Sequence, residues 1–480
     1  MVVLLASSAA CHRRPSELVK ESSDAANAPD AATARGGLDS GVSDESRGRA
    51  AYEPRLELVA IRVRGARDFV SLRMVDIGSR VLVSARTPVA WADGAGPLER
   101  DPRLTMGLDP GPPDLYGAEE RTIHGLAGTY PDAVFAIYGF LPEARGVKFD
   151  LPVHRLTRSG WVVEGALRKG VVATNLVPFG ARGVIVAGWT SDDDNSLPAP
   201  WSASRPAWFA VSSEEGAAPK PVQPTDIEGG TMRATRDGHV FVLGTRTSGN
   251  GIWLTHYVMQ PTAQGPGTGA IVSRHVVPGT EACSAKKLQE SGGVTMNLEV
   301  GEGGRAYAGI WYPNDSCPRM QPGLFEDRPK GLVRSPLSTV PLTSGHERSG
   351  VPQVLGVAAD GTTWLTSDMS GGLWRAPPAI GDAGSTAPVA IAMPSLVQLP
   401  NLKSPRPLDV KLELDDGQVK SSRCEPKQVI SRMVSGTEDI WVLARCMVAR
   451  AEYEVVLRHG KPQDPIRVDE TSSVDGGAQR

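Results

Sequence analysis

Arg86, Trp189, Thr245, Trp311, Asp368 and Arg445 lie far apart in the chain, yet each stands five residues after the start of a similar apolar segment. Gly139 holds the same place in a seventh such segment. Tryptophan offers a stacking face to a sugar ring, and arginine and aspartate supply charge-assisted hydrogen bonds to an anion or a hydroxyl. If the segments assemble with their ends aligned, these side chains form a ring that binds a carbohydrate or a small anionic ligand. The bland alternative is that polar residues gather at segment ends anyway and the tryptophans pack in the core. A second cluster lies in "SDDDNS", where Asp192 and Asp194 are candidate oxygen ligands for Ca²⁺. That cation wants several carboxylates and carbonyls converging at once. The run lacks the glycine and distal glutamate of an EF-hand loop, so a solvated acidic loop competes with it.

Signatures of catalysis are missing from the sequence. No GxSxG, GxxxxGK[ST] or HExxH occurs, nor a GxGxxG between a strand and a helix. The eight histidines, His239 and His256 among them, have no ligand-like spacing, and no CxxC pair points to zinc. No catalytic residue is therefore assigned, and calcium is the one cofactor with candidate ligands. With 51 basic and 54 acidic residues and a net charge of -3, the chain has no electrostatic footprint for nucleic acid. No later run approaches the roughly 18 apolar residues needed to cross a bilayer.

The elements that must position these residues recur. Aligning the first apolar residue after each turn gives "GSRVLVSA" at Val81, "PDAVFAIY" at Val134, "ARGVIVAG" at Val184 and "DGHVFVLG" at Val240. "GGRAYAGI" at Ala306, "DGTTWLTS" at Thr363 and "TEDIWVLA" at Ile440 continue the series. Successive intervals are 53, 50, 56, 66, 57 and 77 residues. The next position is always large and apolar: Leu82, Phe135, Ile185, Phe241, Tyr307, Trp364 and Trp441. The one after it is apolar too, so both faces of these strands must be buried. With 53 glycines and 39 prolines between such segments, the chain is expected to be all-β.

Seven units of this kind resemble a seven-bladed β-propeller, in which each small sheet buries its faces by stacking on its neighbours around an axis. On that reading the anchor segments are inner strands of the blades. "RLELVAIRV" from Arg55 supplies an extra strand that closes the ring against "YEVVLRHG" or "PIRVDE". Tandem β-sandwich domains are the competing architecture. The resemblance stops at architecture: the repeated motifs of WD40 and kelch propellers are missing, and "TSDMSGGLW" is similar to a single Asp-box.

The N-terminal "MVVLLASSAACHRRP" resembles a bacterial lipoprotein signal, with cleavage before Cys11 and lipidation of that cysteine. Residues 12–50 are poor in large apolar side chains and read as a disordered linker with a reach of roughly 35 Å. Residues 51–470 form the propeller and 471–480 a disordered tail. Cys283, Cys317, Cys424 and Cys446 are compatible with two disulfides in an oxidising compartment, with pairing of sequence neighbours favoured. The expected protein is an exported, lipid-anchored binding or interaction module of the bacterial cell envelope, periplasmic or at the outer membrane. It is expected to be monomeric, to touch the membrane only through its anchor, and to meet an envelope protein or a carbohydrate. An extracytoplasmic hydrolase or lyase acting on carbohydrates or lactones is the alternative.

Overall fold

Six of the seven anchor segments form the second strand of a four-stranded antiparallel sheet, and the seventh lies in a six-stranded sheet. The structure is a computed structural model that describes residues 56–468. It leaves out 65–69, 109–120, 132, 141–150, 168–170, 180–182, 192–203, 213–219, 223–226, 247–249, 259–260, 263–264, 267–269, 284–294, 302–303, 312–321, 340–351, 367–372, 377–396, 399–407, 414–418 and 449–450. All described residues belong to one compact unit, Glu53–Arg480. The four-stranded sheets occupy residues 73–100, 121–167, 171–222, 227–276, 295–334 and 353–398, in chain order. They are blades one to six of a β-propeller. No helix among the described residues is long and apolar enough to cross a membrane.

The apolar triplets explain the stacking. Every anchor residue and the two after it are buried, and their alternating directions send them to opposite sides of the sheet. Leu82 of blade one packs in one cluster with Val134 of blade two, and Phe135 of blade two with Val184 of blade three. The same relation joins Ile185 to Val240, Phe241 to Ala306, and Trp364 to Ile440. Between blades five and six, Tyr307 packs with Leu365, and the anchor Thr363 donates a hydrogen bond to the Tyr307 hydroxyl at 3.4 Å. Trp441 of the six-stranded sheet packs with Val81 of blade one. Each sheet thus shares a core with the sheet before it and the sheet after it. Tandem sandwiches, which would pair sheets in isolation, are set aside.

The six-stranded sheet runs Leu408–Glu413, Val419–Val434, Thr437–Val448, Ala451–His459, Leu56–Arg64, Ile466–Arg467. Leu56–Arg64 pairs antiparallel with Ala451–His459 and parallel with Ile466–Arg467, so both expected partners of the N-terminal strand are used. The expected seven blades are corrected here: six four-stranded blades are described. The last interval is long because Leu408–Glu413 and the 16-residue strand Val419–Val434 fall within it.

Buried charge fastens this sheet to blade one. Arg458, fully buried, donates to Asp439 Oδ1 at 2.7 Å, to the Gly94 carbonyl at 3.1 Å and to the Gly96 carbonyl. Asp439 also accepts from Trp441 Nε1 at 2.9 Å and Arg432 Nε at 3.1 Å. On the other side of the seam Arg62 pairs with Glu454 at 3.1 Å, and Glu454 accepts the Leu72 amide at 2.8 Å. Two glutamines act as substitute strand edges. Gln428 bonds both the amide and the carbonyl of Met74, and Gln463 does the same for Leu98. Cys424 and Cys446, directly opposed in register, form a buried disulfide, as the pairing of sequence neighbours requires. Cys283 is also disulfide-bonded; Cys11 and Cys317 lie outside the described residues.

The anchors are inner strands of their sheets, but the strands lining the axis are the ones that precede them: Arg73–Asp76, Arg121–Thr129, Val171–Phe179, Ile227–Ala234, Thr295–Val300, Gln353–Val357 and Val419–Val434. Near the axis adjacent sheets come too close for large residues on both faces. A Cβ on Gly356 would sit 2.1 Å from the Val429 carbonyl oxygen, and one on Gly125 2.7 Å from Leu176 Cβ.

Candidate functional site: the central channel

The innermost strands enclose a cavity of about 1060 Å³. Its lining is uneven. From blades two and three the described contributions are apolar, including Leu126, Ala127, Leu176, Val177 and Pro178. Blade one, blade four and the six-stranded sheet contribute Arg73, Arg233, Arg236, Lys427 and Arg432, against the carboxylates Asp76 and Glu299. The lining is therefore cationic in a chain whose net charge is -3.

The charges are arranged by depth. In an antiparallel meander all first strands run the same way, so their C-terminal ends meet at one mouth. There Arg236, just past the end of the blade-four strand, pairs with Asp76 of blade one at 2.8 Å. Arg432 approaches the same Asp76 oxygen at 4.0 Å and donates to the Gly78 carbonyl at 3.2 Å. Asp76 is itself fixed by accepting the Gly78 amide at 3.0 Å. Beside this strut, Arg233 pairs with Glu299 of blade five at 3.2 Å. An ionic mesh contributed by four sheets thus spans that end of the channel.

Toward the opposite mouth stand Arg73 and Lys427. Gln428 holds the Met74 backbone through both its amide atoms, at 3.3 and 2.9 Å, so the preceding residues of the two strands lie at the same level. Lys427 is the extra residue of a β-bulge: Pro426 pairs with Ala444 and Gln428 with Leu443, leaving Lys427 outside the ladder. Bulges re-aim side chains in this way, often beside functional sites. Lys427 also pairs with Glu425 at 2.5 Å. Desolvation by the surrounding protein lowers the Arg73 pKa from its ordinary value; a guanidinium starts high enough to remain charged.

Of the residues picked out from the repeat, the described Arg86, Thr245 and Arg445 lie toward this same mouth, one strand further out. Arg445 stands opposite Glu425 in the ladder and pairs with Glu452 at 2.9 Å. Arg86 follows the second strand of blade one, and its carbonyl accepts the Ile123 amide of blade two at 2.9 Å. Thr245 is buried opposite Gly229. None of these three is in the channel lining. Trp189 and Trp311 lie at or near the ends of their strands, with their side chains outside the described set, and Asp368, Asp192 and Asp194 lie outside the described residues. Among the described residues no group of three or more His, Cys, Asp or Glu could hold a metal ion.

The channel cations escaped the repeat-based reading, although the sequence carries a signal for them. Arg73 and Arg432 stand eight residues before Val81 and Ile440, and Arg233 and Glu299 stand seven before Val240 and Ala306. A charge within the apolar segment before each anchor turn marks a side chain facing the axis.

Outside the channel, His239 Nδ1 and His256 Nε2 lie 2.7 Å apart in blade four, and the His256 ring stacks on Phe241 with centroids 4.1 Å apart. Burial, and then the neighbouring His239, lower the His256 pKa, which favours the neutral form of the His256 ring.

No protein-family model matches the chain, and no curated protein matches it. Among solved structures it is similar to hydrazine synthase of Kuenenia stuttgartiensis, with 10% identity and a TM-score of 0.42 over 77% of this chain and 91% of that one. It is similar to the Cps50 (Swd1) β-propeller domain of Myceliophteria thermophila, with 9% identity and a TM-score of 0.37 over 84% and 99% of the two chains. A structure of streptogramin B lyase matches with 8% identity and a TM-score of 0.37 over 85% and 99%.

Proposed function

We propose that this chain is an exported propeller that serves as a binding module at the bacterial envelope and takes its ligand in the central channel. One observation carries the reading: a cavity of about 1060 Å³ lined on one side by cations from several sheets and on the other by apolar residues. Convergence of a few placed polar groups on a largely preformed concave site is the usual form of a ligand pocket. The six-stranded sheet acts as the seventh blade, a reading supported by the cores it shares with blade six and blade one. Export is supported by the Cys424–Cys446 disulfide, since such bonds persist in oxidising compartments. Lipidation at Cys11 rests on the N-terminal sequence. Labelling cells with a palmitate analogue tests it: wild-type protein should incorporate label and C11A should not, whereas equal labelling of both would refute the anchor.

A second reading, an extracytoplasmic hydrolase or lyase, is favoured by the meeting of Asp76 and Glu299 with arginines in the channel. Both carboxylates are engaged in ion pairs, which is a structural use of their charge. Turnover of a glycoside or lactone panel that disappears in D76N or E299Q would establish the enzyme.

A further inference from the structure

We infer that His239 and His256 form a two-nitrogen binding site for a divalent late transition-metal ion of the copper or nickel class, on blade four and independent of the central channel. The two histidines are 17 positions apart in the chain. They meet only because His239–Arg246 and Ile252–Val258 pair as neighbouring strands.

His239 Nδ1 and His256 Nε2 lie 2.7 Å apart. Two imidazole nitrogens at about 2.0–2.1 Å from one ion stand about 2.9 Å apart when the angle between them is 90°, and about 3.3 Å apart when it is tetrahedral. The pair is therefore close to the spacing of a tetragonal or octahedral ion, and short of the one that zinc prefers. Both rings are held in place. His256 stacks on Phe241 at an interplanar angle of 11°, and His239 closes a turn whose Thr235 amide donates to the His239 carbonyl at 2.9 Å. In that turn the Thr235 hydroxyl fixes Asp237, whose Oδ2 lies 3.5 Å from His239 Nε2. A carboxylate there keeps the His239 proton on Nε2 and leaves Nδ1 as a lone-pair donor, the usual outer-shell arrangement of a ligating histidine. With the His256 proton on Nδ1, both facing nitrogens take an ion in place of their hydrogen bond. Burial, then His239, lower the His256 pKa and favour its ligating neutral form, while the charges of Asp327 and Asp237 favour a cation beside it. The His239 side chain is 29% exposed, so a hydrated ion reaches it. Among the described residues no third His, Cys, Asp or Glu joins the pair. Water or an external donor fills the remaining positions, which keeps the site open to exchange.

Titration calorimetry of the full chain, free of any affinity tag, with nickel chloride in a buffer that does not bind metal, tests the inference. Nickel is the probe because thiols do not reduce it. One equivalent should bind near neutral pH, and its affinity should fall about tenfold or more at about pH 5.5, where protonated imidazole has no lone pair to give. H239Q and H256Q should each weaken that equivalent about tenfold or more, whereas H459Q, a change in the six-stranded sheet, should leave it as in wild type. Magnesium, which takes oxygen ligands, should give no comparable binding. Circular dichroism verifies folding; if H256Q loses its fold with the Phe241 stack, H239Q, in the more exposed turn, carries the test. Absence of nickel binding to the wild-type chain, or unchanged affinity in folded H239Q, would overturn the inference and leave the pair as a hydrogen bond alone. Binding of a neutral or anionic ligand in the channel is measured separately, so failure here does not touch that reading.

Discussion

Asp439 carries three hydrogen-bonding partners inside the seam between blade one and the six-stranded sheet. Burial opposes its ionisation, but hydrogen bonds from Arg458 and Trp441 and the charges of Arg458 and Arg432 outweigh burial and hold its carboxyl below the ordinary range. Because the folded pKa is depressed, the stabilisation is complete above the unfolded value of about 3.9 and drains away as pH falls through the folded value. Replacing Asp439 by Asn leaves Arg458 buried without its counter-ion, a loss of about 3–5 kcal/mol. Urea denaturation at neutral pH should show that loss, and the acid-side stability of D439N should fall less steeply than that of wild type. Equal acid slopes would mean that Asp439 is not the titrating group. At Gly356 the constraint is space: an added Cβ meets the Val429 carbonyl oxygen at 2.1 Å. G356A should destabilise by about 2–3 kcal/mol, since the opposing atom is backbone and the two strands must separate.

At the scale of the strand, legibility follows burial. The anchor segments were readable because second strands lie between two neighbouring sheets, and both faces must then be apolar: Val81, Leu82 and Val83 are all fully buried. The innermost strands were not readable in the same way. They mix glycine, where sheets nearly touch, with charges that face the axis, as in Gly125 and Arg233, so neither periodicity emerges. Of the ring expected from the anchors, the described Arg86, Thr245 and Arg445 consequently lie one strand outside the channel lining. Core predictions belong to this scale. Phe241 is fully buried in the core shared by blades four and five, and F241A should cost about 3–5 kcal/mol through lost burial and the cavity left behind. A midpoint in a denaturant titration close to wild type would mean that these two blades do not share a core. The Cys424–Cys446 bond ties two adjacent strands across a sequence separation of 22. Serine at both positions should lower stability by roughly 3 kcal/mol on the chain-entropy model, and a non-reducing thermal melt against a reduced wild-type sample measures it.

For the whole molecule, the two ends of the described chain enter one sheet, and that sheet is held to blade one by hydrogen bonds from buried Arg458 and to buried Glu454, by two glutamines and by a shared apolar core. The closing role of the first strand was legible because "RLELVAIRV" is a strand with no unit of its own. The channel chemistry was not, since it depends on which chain segments meet around an axis rather than on local pattern. That circular packing creates the cavity and brings Arg236 within 2.8 Å of Asp76, residues 160 positions apart in the chain. The most direct test is a crystal structure of the full chain. A closed ring in which Arg236 meets Asp76 across an open central channel is the predicted result. Sheets that do not close into a ring, or a channel filled by side chains, would contradict the account.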